Sequence, residues 1–447
     1  MKERGEFKSS FGSIAAIAGS AIGLGNIWRF PYVAGENGGA AFIIIYLIIV
    51  ILVGIPLVMT EFGLGRNTNK NVFGAFKTLE PKKKWYYIGY LGIISSLIII
   101  SFYSVIAGWT LSFLELSITN SFVDSTTSQL EANFNDFVNS GTLPILYTGL
   151  FIIATSIIVA LGVEKGIERF NKILMPVLVL ILIILSINSF TLSGINDAIE
   201  FLFKADFSKV TPNIILEALG QAFFSMSIGM GCLITYGSYL RKKDNLFKTA
   251  TLVAISDIGI AILAGIAIFP AVFTYGIEPA SGPNLVFITL PNIFSQMSGG
   301  YFFSVLFFLL LTVAALTSSV SLMEVFVLYL NEEFKISRVK SVLMCAVIIF
   351  VIGSACALSQ IDGSQIRIFD NNLFDALDTF SSSYMLTITG FLIVIYAGWI
   401  AQRKNFEKEV TINSAIARRY FRVYYFLIRY IAPTAIILIF LTKIGLI

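Results

Sequence analysis

Eleven long, almost uncharged stretches follow one another through this 447-residue chain, and that recurrence limits its fold more than any other feature. Each is about 20 residues or more, enough to cross ~30 Å of hydrocarbon as a helix. No water reaches backbone amides at that depth, so a spanning segment must be a helix or part of a closed barrel. The stretches read near 11–36, 40–65, 86–117, 142–161, 167–190, 212–240, 247–275, 299–331, 338–359, 373–400 and 419–445. The expected fold class is therefore an all-α polytopic membrane protein with 11 transmembrane helices. With 56% hydrophobic and 13% charged residues and a mean hydropathy of +0.84, no ordinary soluble domain fits.

The +4 formal charge does not form a nucleic-acid surface. Lys and Arg cluster instead at Lys2/Arg4/Lys8, Arg66–Lys84, Lys165–Lys172, Arg241–Lys248, Lys335–Lys340 and Arg403–Arg422, while 111–163 has none. About 25 of the 31 fall between spans on one side of the bilayer. By the positive-inside rule that side, with the N-terminus, is cytoplasmic, and an odd number of spans puts the C-terminus outside. The charged start and long first span do not read as a cleavable signal. No histidine exists, and the three cysteines, Cys232, Cys345 and Cys356, all lie within spans. Histidine chemistry and a disulfide framework are thereby excluded, and an enzyme is not expected.

Two spans are punctured by the same short phrase. Ala21-Ile22-Gly23-Leu24-Gly25 interrupts the first, and Ser227-Ile228-Gly229-Met230-Gly231 interrupts the sixth. Each glycine costs about 1 kcal/mol inside a helix. Unwound backbone at mid-membrane is tolerated only where it lines a cavity, and paired interruptions in two half-repeats point to a transporter's binding site. Five spans separate the two breaks, so the second set enters from the opposite face. That gives a 5+5 inverted repeat, 11–190 and 212–400, with 419–445 as an additional helix, all in one transporter domain. The loops 117–141 and 276–299 fall outside, the latter with Pro279, Gly282, Pro283 and Pro291 as a candidate lid.

Around the first break the sequence reads Gly19-Ser20-Ala21-Ile22-Gly23-Leu24-Gly25-Asn26-Ile27-Trp28-Arg29-Phe30-Pro31, then Glu36-Asn37-Gly38-Gly39. With Gln221–Gly231 and Ala314-Ala315-Leu316-Thr317-Ser318-Ser319, this run resembles the neurotransmitter:sodium symporter family, and within it the bacterial amino-acid branch. Members usually have twelve spans, and this chain has eleven. The resemblance implies two sodium ions. Gly19, Ile22, Ala314, Thr317 and Ser318 would hold one; Ala21, Asn26, Ser225 and the substrate's own carboxylate would hold the other. The physics agrees: broken helix ends offer carbonyls to a hard cation and N–H groups, here at Leu24 and Gly25, to an anion. Ser and Thr in spans more commonly bond their own helix, a role that stays open for Thr317 and Ser318.

Asp257 departs from the family pattern, standing at or beside a position where relatives carry Asn. A mid-span carboxylate costs about 2.5–3.5 kcal/mol and normally marks an ion path. Its charge is expected to balance the sodium pair, supported by Tyr46 and Gln221, with no need for chloride; a position near the headgroups is the alternative. Gly23 replaces the aspartate of monoamine-carrying relatives, which implies a zwitterionic amino acid. The pocket is expected from Ala21, Gly23, Leu24, Gly25, Ile99, Tyr103, Phe224, Ser227, Met230, Ser318 and Leu322. Met230 is flexible and polarisable, which favours an aromatic substrate, tyrosine or tryptophan. Arg29 and Asp378 would form the outer gate, Arg4 and Glu332 the inner one, while Glu61 would satisfy groups freed at the helix breaks. The expected function is sodium-coupled import by alternating access across a bacterial inner (plasma) membrane. A broad aliphatic amino-acid symporter is the alternative, followed by a sensor or channel of the same fold. Oligomeric state is left open.

Overall fold

A computed structural model describes residues 5–123, 125–276, 285–368, 370–443 and 446. Among the described residues, nine helices are long and apolar enough to cross a bilayer, from Ala40–Thr68 to Phe421–Thr442. A tenth crossing, Ser10–Ala21 with Gly25–Glu36, is bent by 51° at its break. The remaining expected span is split into Pro212–Ser225 and Cys232–Gly237. The eleven runs read from hydropathy therefore coincide with these crossings to within a few residues. The one strand pairing among the described residues joins Arg367–Ile368 to Asn371–Asn372.

The two punctures resolve differently. In span six, Ser227, Gly229 and Gly231 have φ of +55°, +79° and +78°, left-handed conformations that glycine adopts without penalty. In span one neither Gly23 nor Gly25 needs positive φ; Ile22 turns extended with ψ 101°, and the chain re-enters helix through a wide turn at Gly25–Arg29. There the glycines serve close approach. A Cβ on Gly23 would sit 2.3 Å from Ser318 Oγ, and one on Gly25 3.2 Å from the Phe224 ring.

The unwound turn of span six is anchored by a neighbour. Glu61, fully buried on span two, accepts the Gly229 N–H at 2.9 Å, as expected from the sequence. Nearer the basic end, Arg66 is also fully buried. Its guanidinium donates to Glu409 Oε1, the Glu409 carbonyl and the Asp244 carbonyl, each at 2.6 Å. Pairing and full hydrogen bonding make such burial tolerable, and tie span two to the turns after spans six and ten. The loop 117–141 contains a helix, Thr127–Asn139, started by a Thr126/Gln129 capping box. Of the candidate lid, 277–284 lie outside the described residues, and Leu285–Gln296 is helical.

Candidate functional site

The broken spans meet at mid-protein: Ser227 Oγ donates to the Ser20 carbonyl at 2.9 Å. Beside this contact lies a cavity lined by Ser20, Ala21, Gly23, Gly25, Ile99, Tyr103, Phe224, Ser225, Ser227, Met230, Ser318 and Leu322. Every expected pocket residue faces it except Leu24, whose amide instead donates to Tyr103 Oη at 3.1 Å. Water centres reach only about 20 Å³ of it, room for a molecule or so.

Against one wall, Ser318 Oγ lies 3.3 Å from the carbonyls of Gly19 and Ser20 and 3.4 Å from that of Ile22. Thr317 Oγ1 lies 3.2 Å from the Ile22 carbonyl and 2.9 Å from that of Ala314. Two hydroxyl hydrogens thus face four carbonyl oxygens, an excess of acceptors that suits a hard cation. The bond from Thr317 to Ala314 is the ordinary helix back-bond, while the bonds of both residues to span one are not.

Against the other wall sits Asp257, fully buried rather than near the headgroups. Its carboxylate accepts from Asn26 Nδ2 at 2.7 Å, Tyr46 Oη at 2.5 Å and Ser225 Oγ at 3.2 Å. Among the described residues it makes no ion pair, so its charge is met by dipoles alone. Asn26 Oδ1 accepts the Gly23 N–H at 3.3 Å, and Gln221 Nε2 holds the Gly25 carbonyl at 3.0 Å. Ser225 lines the cavity and belongs to this cluster; Ser318 lines it and belongs to the hydroxyl cluster.

Beside the cavity the Arg29 guanidinium stacks on the cavity-lining Phe224, 4.7 Å from the ring centroid. At the basic end Arg4 lies outside the described residues. Glu332 Oε2 accepts from Asn71 N at 2.7 Å and Asn71 Nδ2 at 2.9 Å. The start of span one is sewn down by groups that the sequence did not single out. Phe7, fully buried, packs edge-on against Tyr236 and Tyr239 with centroids 5.8 and 5.9 Å apart. Glu168 accepts the N–H groups of Lys8 at 2.8 Å and Ser9 at 3.2 Å. Tyr239 donates to Glu324 at 2.6 Å, and Arg338 pairs with the same carboxylate at 2.5 Å.

The family model described as "Sodium:neurotransmitter symporter family" matches residues 4–141 and 122–446. The chain belongs to that family. Its members are symporters, not enzymes, and this chain is a polytopic sodium-dependent membrane transporter. It is 36% identical to the uncharacterized sodium-dependent transporter YhdH of Bacillus subtilis (strain 168), over 99% of this chain and 98% of that one. It is 26% identical to the sodium-dependent serotonin transporter of Drosophila melanogaster, covering 77% and 62%. Among solved structures, MhsT in complex with L-phenylalanine superposes with a TM-score of 0.92 at 43% identity, covering 98% of this chain and 100% of that one.

Within this family frame, Ser20 and Ser321 are pocket-side residues that the sequence reading passed over. Ser20 Oγ donates to Ser321 Oγ at 2.7 Å, adding a hydroxyl pair beside the cavity. The helical spacing of Ser318 and Ser321, three residues apart on one face, was the available signal.

Proposed function

We propose that this chain couples two sodium ions moving down their gradient to import of a hydrophobic, preferentially aromatic, amino acid, without chloride. The reading rests above all on shared residues: Ser225 joins the cavity to the Asp257 cluster, and Ser318 joins it to the carbonyl–hydroxyl cluster. An amino acid in the cavity would meet both ion sites at once. Its carboxylate would face the amides of Leu24 and Gly25 and complete the shell of the ion held by Ala21, Asn26 and Ser225, beside the Asp257 carboxylate. The other ion would take Gly19, Ile22, Ala314, Thr317 and Ser318. Ile99, Tyr103, Phe224, Ser227, Met230 and Leu322 would enclose the side chain, with Gly23 leaving room for the carboxylate.

The aromatic preference draws support from Met230 in the cavity wall and from the similar transporter MhsT, which binds L-phenylalanine. Asp257 would supply the fixed negative charge that makes chloride unnecessary. Alternating access would rock the repeats 11–190 and 212–400, with Arg29 and Asp378 closing the outer path. Glu332, with Arg4 where the N-terminal tail reaches it, would close the inner one. In a bacterial plasma membrane the basic loops and N-terminus would face the cytoplasm.

A thermal-shift screen of the twenty amino acids, in sodium or choline and in chloride or gluconate, tests the reading. Stabilisation should be largest for phenylalanine, tyrosine or tryptophan, require sodium and survive gluconate. Equal stabilisation by leucine and valine favours the broad aliphatic symporter. Loss of stabilisation in gluconate removes the chloride-independent assignment.

A further inference from the structure

Asn171, on the span that begins at Val163, is 2% exposed and plays no part in the sites described above. Its Nδ2 donates to the Ile167 carbonyl at 2.8 Å, which fixes the end of the amide that carries oxygen. That oxygen, Oδ1, is buried and has no hydrogen-bond partner. Buried acceptors without partners are rare, and each calls for an explanation such as an ion.

Oδ1 points at Gly19, within the last turn of helix before the break in span one. The place a Gly19 Cβ would occupy lies 2.1 Å from Asn171 Oδ1 and 3.3 Å from Thr317 Cβ. The missing side chain of Gly19 thus opens a gap that the amide oxygen enters from one side and Thr317 faces from another. The nearest hydroxyls have no hydrogen to spare, because Thr317 and Ser318 already face the carbonyls of Gly19, Ser20, Ile22 and Ala314. A further neutral oxygen added to an acceptor-rich cluster is what a cation requires.

We infer that Asn171 Oδ1 is an additional ligand of the sodium ion at Gly19, Ile22, Ala314, Thr317 and Ser318. The inference deepens the proposed function and rests on that ion site. It also gives the ion a third element to hold: with Asn171 as ligand, sodium fastens the span from Val163 to the first and eighth spans together.

The test is a sodium titration of the purified full chain by thermal shift, with choline balancing ionic strength, for wild type, Asn171→Leu and Asn171→Asp. Asn171→Leu keeps the volume and removes the oxygen. It should raise the sodium concentration for half-maximal stabilisation about tenfold, as for one lost contact to a charge. Its melting midpoint in choline should stay level or rise, because an unpaired acceptor is gone. Asn171→Asp keeps an oxygen, adds charge and should lower the half-saturating concentration; this variant decides the matter if Asn171→Leu fails to fold. Half-saturation within twofold of wild type in either folded variant overturns the inference, as does weaker sodium binding by Asn171→Asp. A midpoint that falls equally in choline and sodium assigns Asn171 to packing instead. A wild type with no sodium response defeats the ion site itself, an outcome distinct from a responsive wild type whose variants respond equally well.

Discussion

Replacing Gly23 by alanine should uncouple the pocket from both ions, and the geometry sets how far. The new Cβ would sit 2.3 Å from Ser318 Oγ, 2.9 Å from Tyr103 Oη and 3.1 Å from Ser318 Cβ. Ser318 must therefore swing away from the carbonyls of Gly19, Ser20 and Ile22 that it now approaches. Tyr103 must likewise release the Leu24 amide. Loss of Ser318 as a ligand is one contact to a charged group, worth about 1.5–3 kcal/mol, or about 10- to 150-fold in affinity, and the neutral Tyr103 bond adds about 0.5–1.5 kcal/mol. Binding of radiolabelled L-phenylalanine at saturating sodium, and sodium titration at saturating phenylalanine, should each weaken at least about tenfold. Gly259→Ala is the matched control, because a Cβ there meets nothing within 4 Å. It should leave both affinities unchanged and add up to about 1 kcal/mol of helix stability. Gly23→Ala affinities within threefold of wild type would refute the close-approach role.

Three further perturbations test other parts of the account. Asp257→Asn removes a buried charge whose attraction to an ion about 4 Å away is about 4 kcal/mol at an effective dielectric near 20. Half-saturating sodium should rise by two orders of magnitude or more, and a sodium titration within threefold of wild type contradicts the charge-balancing role. Met230→Phe stiffens the cavity wall, so competition profiles should shift from aromatic towards smaller aliphatic amino acids, and an unchanged profile refutes the pocket assignment. In the turn after span six, burial pushes the Asp244 carboxyl up, but the Arg241 guanidinium and backbone N–H hold it below the usual aspartate range. Stability from that lowered value is complete above the unfolded pKa of about 3.9 and is lost as pH falls through the folded one. Asp244→Asn should therefore lose stability at neutral pH and flatten the acid limb of the melting profile; parallel acid limbs count against the pairing.

Much of the architecture was legible because hydrocarbon leaves the chain few choices. The eleven apolar runs became crossings with ends displaced by only a few residues, and both Gly-containing phrases mark real breaks. What the phrase did not convey is that its glycines act differently in its two copies. Gly229 and Gly231 supply positive φ, whereas Gly23 and Gly25 supply proximity to Ser318, Tyr103 and Phe224. Both demands select the same residue, so spacing alone cannot separate them.

The cavity lining could be named from the sequence because the family resemblance carried it over position by position, and i,i+4 pairs such as Ile99/Tyr103 and Ser318/Leu322 share a face. Ser20 and Asn171 were not visible there. Their significance comes from contacts across spans, to Ser321 and towards Gly19, that no local periodicity encodes. The fastening of the start of span one was similarly hidden. Phe7, Tyr236 and Tyr239 fasten it through ring packing and the Phe7 N–H bond to the Tyr239 carbonyl at 3.2 Å, and Arg4 lies outside the described residues.

The central claim is that sodium and an aromatic amino acid share one mid-membrane site between the two broken spans. Proteoliposomes holding the purified chain, with sodium outside and choline inside, test it most directly through uptake of radiolabelled L-phenylalanine. The account predicts transient accumulation above the external concentration, abolished by a sodium ionophore and unaffected when gluconate replaces chloride. Uptake that never exceeds equilibrium, or that proceeds equally with choline on both sides, would contradict it.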